Sequence, residues 1–208
     1  MSPALRDATP LRSSGGEVWR TGTRGAAISN PDLTANNAVV TLVVPMRNER
    51  HRFGGSVEPL IRFIRAQPPG SQLVYVDDGS DDGTPRLVAD FVRCHPSDPV
   101  RLIERLPAGK GAAVQAGLAT ATAGVAAFCD IDLATPLEDL RRIIEAASRA
   151  PVLAIGSRDL ATSSIVRHES GVRETLGKVY NRAVQLTVAP GIVDTQCGAK
   201  AARAEVWG

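Results

Sequence analysis

Asp130 and Asp132 stand one residue apart at the end of an apolar run, Gly124-Val125-Ala126-Ala127-Phe128-Cys129, that is too short and too continuous for an amphipathic helix and reads as a buried strand. Along a strand, residues two apart face the same side, so an extended Asp130-Ile131-Asp132 presents both carboxylates to one hard cation or one polyphosphate. Alone, Asp-x-Asp is more often a solvated strand end. A second acidic strand end follows Val74-Tyr75-Val76 as Asp77 and Asp78, and a third follows Val43-Val44-Pro45 as Glu49. In a parallel sheet all three open on one edge, and five carboxylates in one crevice repel unless a divalent cation and ligand hydrogen-bond donors relieve them. Oxygen ligands at this density favour Mg²⁺ or Mn²⁺ over zinc. Gly109-Lys110-Gly111 at a helix entry offers backbone N–H groups and one ammonium to a phosphate. It is not a Walker loop, because Glu104 stands where the first glycine belongs, and taken alone it reads as a turn.

The elements that must position these groups follow from periodicity. Order begins at the β-branched run 39–45. Val57, Leu60, Ile61 and Ile64 at helical spacing predict a helix over 56–67, closed by Pro68-Pro69-Gly70. A strand over 72–76 leads through the acidic loop to Thr84 and Pro85, expected as N-cap and first helical residue of a helix ending near Cys94. A strand over 100–104, an Ala-rich helix over 112–122 and the strand carrying the aspartates come next. Thr135-Pro136-Leu137-Glu138 reads as a capping box for a helix to about Arg149, and Val152 to Ile155 as a fifth strand. Five alternations of strand and helix predict an α/β fold: a Rossmann-like, open, mostly parallel sheet with helices on both faces, whose ligands sit beyond the carboxyl ends of the strands.

Composition narrows the function classes. The 208 residues suit one α/β domain with a real core, at 43% apolar content. A net charge of +2 and 4% aromatic residues give neither a polybasic field nor stacking platforms, so no nucleic-acid partner is expected. Cys94, Cys129 and Cys197 are far apart without a C-x-x-C pattern, which suits reduced thiols in a cytosolic protein and argues against zinc. No stretch has the length of a membrane span and no signal-peptide core is evident, so a soluble or peripheral protein is expected. Residues 1–37, rich in Ser, Gly, Pro, Arg and Thr, read as a flexible leader to a domain over 38–208.

Five motifs in order carry a family resemblance: 43–49 (Val-Val-Pro-Met-Arg-Asn-Glu), 76–84 (Val-Asp-Asp-Gly-Ser-Asp-Asp-Gly-Thr), 109–117 (Gly-Lys-Gly-Ala-Ala-Val-Gln-Ala-Gly), 130–136 (Asp-Ile-Asp-Leu-Ala-Thr-Pro) and 156–158 (Gly-Ser-Arg). The set resembles family 2 glycosyltransferases of GT-A fold. Arg173 with Asn181, then Asp194 to Lys200, resembles the polyprenol-phosphate sugar synthases within it, of dolichyl-phosphate glucosyltransferase or mannosyltransferase type. The resemblance implies that Pro45, Glu49, Asp77 and Asp78 hold the base and ribose of a sugar nucleotide. By the same resemblance Asp130 and Asp132 bind Mg²⁺ or Mn²⁺ and the diphosphate, with Ile131 between them in the nucleotide-sugar site. Lys110 lies beside the nucleotide. Arg158, Arg173 and Asn181 fall at positions expected near the acceptor phosphate, and Asp132, Arg158 and Arg173 are the expected catalytic residues. Arg173, Gly177 and Asn181 also recur every four residues, as one helical face would; without the motifs an ordinary polar helix face explains them as well.

The implied reaction is a single inverting displacement in which a polyprenyl phosphate attacks the anomeric carbon and a nucleoside diphosphate leaves, UDP-glucose or GDP-mannose being the donor type. An ionised phosphate needs no strong base, so cationic groups carry the task. The expected place of work is cytoplasmic, peripheral at the cytoplasmic face of a membrane, with a homo-oligomer left open. Relatives continue past the Asp194 to Lys200 motif with a further strand and helices, whereas this chain stops at Trp207-Gly208, so the C-terminal part of the family pattern is expected to be missing. Two alternatives stand beside this reading: a family 2 transferase with a soluble or polysaccharide acceptor, and a truncated, non-catalytic nucleotide-binding module.

Overall fold

The computed structural model describes residues 10–13, 16–20, 38–150, 152–156 and 198–207. Among these residues the elements are, in order, β1 (Pro10–Ser13), β2 (Gly16–Arg20), β3 (Val40–Met46), α1 (Arg50–Arg65), β4 (Gln72–Asp78), α2 (Thr84–Cys94), β5 (Val100–Arg105), α3 (Lys110–Leu118), β6 (Val125–Phe128), α4 (Leu137–Arg149), β7 (Val152–Ile155), β8 (Lys200–Arg203) and α5 (Ala204–Trp207). The strands form one mixed sheet of order β1-β2-β7-β8-β6-β3-β4-β5. β3 pairs in parallel with β4 and β6, and β4 with β5, whereas β8 runs antiparallel between β6 and β7, and β2 antiparallel to β7.

The central strands are continuous apolar runs because both faces of the sheet are covered. Val40, Leu42, Val44, Leu73, Tyr75, Val125 and Ala127 point to one face, where α1, α2 and α4 supply Phe53, Leu60, Ile64, Val88, Leu140 and Ile144. The alternate residues Val43, Val74, Val76, Ala126 and Phe128 point to the other, against Ala113, Val114 and Leu118 of α3. Helices thus cover both faces, as the alternation predicts. Trp207 closes the second layer, donating its indole N–H to the Ala126 carbonyl at 3.0 Å and packing on Phe128.

Several local expectations shift. α1 starts at Arg50 rather than 56, since Phe53 is buried in the core and the Glu49 carbonyl accepts the N–H groups of Arg52 and Phe53. Burial of that ring outweighs the poor helix propensity of Gly54 and Gly55, roughly 1 kcal/mol each. α2 begins one residue early, with Gly83 at the cap position, and the Thr84 hydroxyl works elsewhere. The cap position of α4 is Pro136, which has no side-chain acceptor, so the expected box at Thr135 is not what starts that helix. α3 runs over 110–118 instead of 112–122. β1 and β2 fall inside the stretch expected as a leader; β2 pairs through backbone groups with the edge of β7 and β1 pairs with β2, which needs no apolar side-chain pattern to be satisfied.

Tyr75 is fully buried, and among the described residues its hydroxyl has no hydrogen-bond partner. An orphaned hydroxyl costs about 1–3 kcal/mol of desolvation. Tyr75→Phe keeps the edge-on ring contact with Phe53 at 5.4 Å and removes that cost, so denaturant unfolding should show the variant more stable by roughly 1 kcal/mol. A less stable variant would mean that the hydroxyl is satisfied.

Candidate functional site

From β3 the chain steps outward through β4 to β5, then crosses back over α3 to β6 on the other flank of β3. Strand order reverses between β3 and β6, and their carboxyl ends diverge around a crevice of the kind in which open α/β sheets bind ligands. A cleft of about 310 Å³ opens there. β3 and its loop contribute Pro45, Met46, Arg47 and Glu49, β4 contributes Asp78, the start of α3 contributes Gly109, Lys110 and Ala113, and the chain leaving β6 contributes Asp130, Ile131 and Asp132.

The two aspartates meet the cleft through a turn rather than strand periodicity. β6 ends at Phe128; the Asp130 carbonyl accepts the Leu133 N–H at 3.1 Å, and Leu133 adopts the left-handed region at φ 52°. Ile131, between them, belongs to the core and is 4% exposed. Asp132 accepts the Ala134 N–H at 3.1 Å, closing the turn. Asp130 forms an ion pair with the Lys110 ammonium at 2.5 Å. On its other side lies Gly198, where a Cβ would stand 2.2 Å from Asp130 Oδ2, so only glycine leaves the carboxylate where it is.

The expected crowd of mutually repelling acids does not occur, because most find partners within the protein. Glu49 pairs with Arg52 at 2.7 Å, which holds that guanidinium more basic than usual, chiefly through the hydrogen bond. Asp77 is buried and turned away from the cleft, accepting the Ser80 N–H at 2.9 Å and the Ser80 hydroxyl at 2.5 Å. Asp78, its neighbour, reaches the cleft lining and accepts the Ala108 N–H at 3.0 Å, the Gly109 N–H at 2.6 Å and Arg105 at 2.7 Å. Those backbone donors first, then Arg105, hold its carboxyl below the ordinary carboxylate range against the opposing effect of burial. Repulsion therefore gives no reason of its own for a metal. The two strand-end loops are laced together: Asn48 N–H donates to Ser80, Glu49 N–H to Thr84, Arg50 N–H to Asp82, and Asp81 N–H to Asn48. Cys129, beneath the aspartates, is pushed up to about 12 by burial and stays a protonated thiol.

Among the described residues no three His, Cys, Asp or Glu side chains converge on a point, so the protein alone makes no metal cage. Asp130 and Asp132 offer only hard carboxylate oxygens, which suits an ion that takes its remaining ligands from phosphate and water; Mg²⁺ and Mn²⁺ fit this donor set. Of the residues singled out in the sequence, the structure brings Pro45, Glu49, Asp78, Lys110, Asp130, Ile131 and Asp132 to one cleft and sets Asp77 behind it. Arg158, Arg173 and Asn181 lie outside the described residues. Sequence reasoning missed Arg105 and Arg52, which lack any motif, and the reason for Gly198, which the quoted motif contained without revealing what it touches.

This sheet with its acidic cleft at the strand-order reversal has the GT-A fold. Solved structures that share it include glucosyl-3-phosphoglycerate synthase from Mycobacterium tuberculosis in complex with UDP, with TM-score 0.55 and 20% identity over 85% of this chain and 63% of that one, and mannosyl-3-phosphoglycerate synthase from Rubrobacter xylanophilus, with TM-score 0.55 and 19% identity over 81% and 54%. The chain belongs to glycosyl transferase family 2, whose model matches residues 41–207. Curated relatives include the dolichyl-phosphate beta-glucosyltransferase of Dictyostelium discoideum, 28% identical over 94% of this chain, and that of Drosophila melanogaster, 29% identical over 77%. The undecaprenyl-phosphate 4-deoxy-4-formamido-L-arabinose transferase of Pseudomonas fluorescens (strain SBW25) is 30% identical over 79%. The branch that the motifs resemble is thus among its relatives. The chain spans 65%, 53% and 46% of the lengths of these three proteins. Among the described residues no helix is long and apolar enough to cross a membrane.

Proposed function

We propose that the chain is the catalytic domain of an inverting glycosyltransferase that moves a hexose from a nucleotide-sugar, of UDP-glucose or GDP-mannose type, to a polyprenyl phosphate. The observation that carries the reading is the convergence of Asp130, Asp132 and Lys110 on the cleft at the strand-order reversal. Relatives named for transfer to dolichyl and undecaprenyl phosphates support the acceptor class.

In this reading Pro45, Glu49, Asp78 and the backbone of Ile131 line the nucleotide's place, while buried Asp77 holds the loop that presents Asp78. Asp130 and Asp132 hold Mg²⁺ or Mn²⁺, which when bound offsets the charge of the diphosphate. Lys110 adds a positive charge at the same end of the cleft. A phosphate oxygen of the acceptor attacks the anomeric carbon, and the bond from that carbon to the diphosphate oxygen breaks with its electron pair leaving on the diphosphate. Arg158 and Arg173 are assigned to the acceptor phosphate, since two anions brought within reacting distance require cations between them, and Asn181 is assigned beside them as a neutral hydrogen-bond donor. In this reading the protein works at the cytoplasmic face of a membrane, bound peripherally.

Radiolabelled UDP-glucose and GDP-mannose, each with Mn²⁺ and a short polyprenyl phosphate, test the proposal. One of them is expected to yield a lipid-extractable sugar. Arg173→Ala should then keep donor affinity and lose roughly tenfold to a thousandfold in transfer, with lysine rescuing partly. Donor binding with no transfer from either sugar would leave a nucleotide-binding module; equal transfer by parent and Arg173→Ala would remove Arg173 from the acceptor site.

A further inference from the structure

We propose that Lys110 is a resident counter-ion of Asp130 that competes with the divalent cation for that carboxylate and, once displaced, becomes the cleft's contact for phosphate. The inference rests on the reading of the cleft as a nucleoside-diphosphate site and adds the order in which its charges are exchanged.

Three acids of the cleft have a cationic partner, but the three pairs differ. Glu49, at the cap position before α1, is held by Arg52 in the first turn of that helix. Asp78 is 3% exposed at its side chain and accepts two backbone N–H groups besides Arg105, so exchanging its partners would leave a buried carboxylate short of donors. The Lys110–Asp130 pair is open: the lysine side chain is 56% exposed and the carboxylate 33%. Exposed ion pairs of this kind are weak and exchange readily.

The lysine's backbone is fixed while its side chain is not. Asp78 pins Ala108 and Gly109 immediately before it, and Ala113 and Val114 anchor the first turns of α3 in the core. A four-carbon stem rooted there sweeps the cleft without moving the backbone, and an ammonium, unlike a guanidinium, has no planar fork tying it to one geometry. Asp130 is also confined from behind by Gly198, so the carboxylate does not follow the lysine away. A divalent ion shared by Asp130 and Asp132 would stand within a few ångströms of the ammonium and repel it. Lys110 must then leave Asp130, and the anionic group it finds in the same cleft is the diphosphate.

The sign of the lysine's contribution therefore depends on the ligand. With metal alone Lys110 is a competitor; with nucleoside diphosphate present it is a partner. Titrating parent and Lys110→Gln with Mn²⁺ alone, followed by the electron paramagnetic resonance of free Mn²⁺, should show roughly threefold to tenfold tighter metal binding in the variant. Titrating both with UDP or GDP at saturating Mn²⁺ should show binding roughly tenfold weaker in the variant. Lys110→Met is the second variant and should reproduce both signs, since it too removes the charge at an exposed position. If both variants bind Mn²⁺ alone no tighter than the parent while the parent still binds nucleoside diphosphate, the exchange is wrong and the functional reading stands. A parent that binds neither UDP nor GDP with Mn²⁺ overturns both.

Discussion

Asp132→Asn should fold with the stability of the parent and lose Mn²⁺-dependent binding of UDP or GDP by on the order of a hundredfold, equivalent to about 3 kcal/mol. The hydrogen bond that Asp132 makes within the protein is to the Ala134 N–H at 3.1 Å, and the asparagine carbonyl accepts it equally well. The turn that places residue 132 on the cleft therefore survives. What disappears is one of two negative charges facing a divalent cation, and the asparagine amide group puts donors where the ion needs an acceptor. Surface changes that leave packing and caps intact stay within about 0.5 kcal/mol in stability, so thermal unfolding separates the two effects cleanly. Calorimetric titration showing the same affinity in both proteins would remove Asp132 from the metal site. A matched fall in melting temperature would instead give the carboxylate a structural role.

Gly117 carries the largest expected effect on folding. It faces the sheet from α3, and a Cβ there would stand 2.3 Å from Val43 Cγ1, 2.9 Å from Val43 Cγ2 and 3.0 Å from Val76 Cγ2. Both valines are fully buried on central strands, and their branched side chains are stiff at χ1. Alanine gains about 1 kcal/mol of helix propensity over glycine, but overpacking a tight core costs about 1–3 kcal/mol, and this contact falls far inside van der Waals separation. Gly117→Ala should be destabilised by roughly 1–2 kcal/mol and Gly117→Val by 3 kcal/mol or more. The helix can relieve the clash only by lifting off β3, which carries Lys110 and Gly109 away from the cleft, so nucleotide affinity should fall with stability. Gly111, exposed on the same helix with nothing within 4 Å of its Cβ, is the control. Alanine there should be neutral or slightly stabilising. Denaturant curves in which Gly117→Ala equals Gly111→Ala would rule out this packing of α3.

The sequence by itself determined the alternation of strands and helices from β3 to β7, the two-sided burial of the central strands and the single edge at which the acidic residues emerge. Those features are periodic or local: an apolar run, a helix stop at Pro68-Pro69, an Asp-x-Asp at a strand's end. It also carried enough ordered motifs to indicate the family. Tertiary structure alone decided which of two adjacent carboxylates faces the cleft. Asp77 and Asp78 are alike in type and, as neighbours on β4, point to opposite faces; which face meets the cleft was decided by the packing of α3 on the side of Val74 and Val76, with Ser80 holding Asp77 and Arg105, Ala108 and Gly109 holding Asp78. The start of α1 depended on the burial of Phe53, and the middle of the sheet on β8, which inserts antiparallel between β6 and β7 from far along the chain. The balance of charge depended on pairs such as Arg105 with Asp78 and Lys110 with Asp130, separated by tens of residues of chain. Local propensity acts over a turn or a strand, whereas hydrogen bonds, ion pairs and steric exclusion depend on what folding brings within a few ångströms; a pattern read along the chain therefore locates the edge of the site but not the partners that set the charge of each group on it.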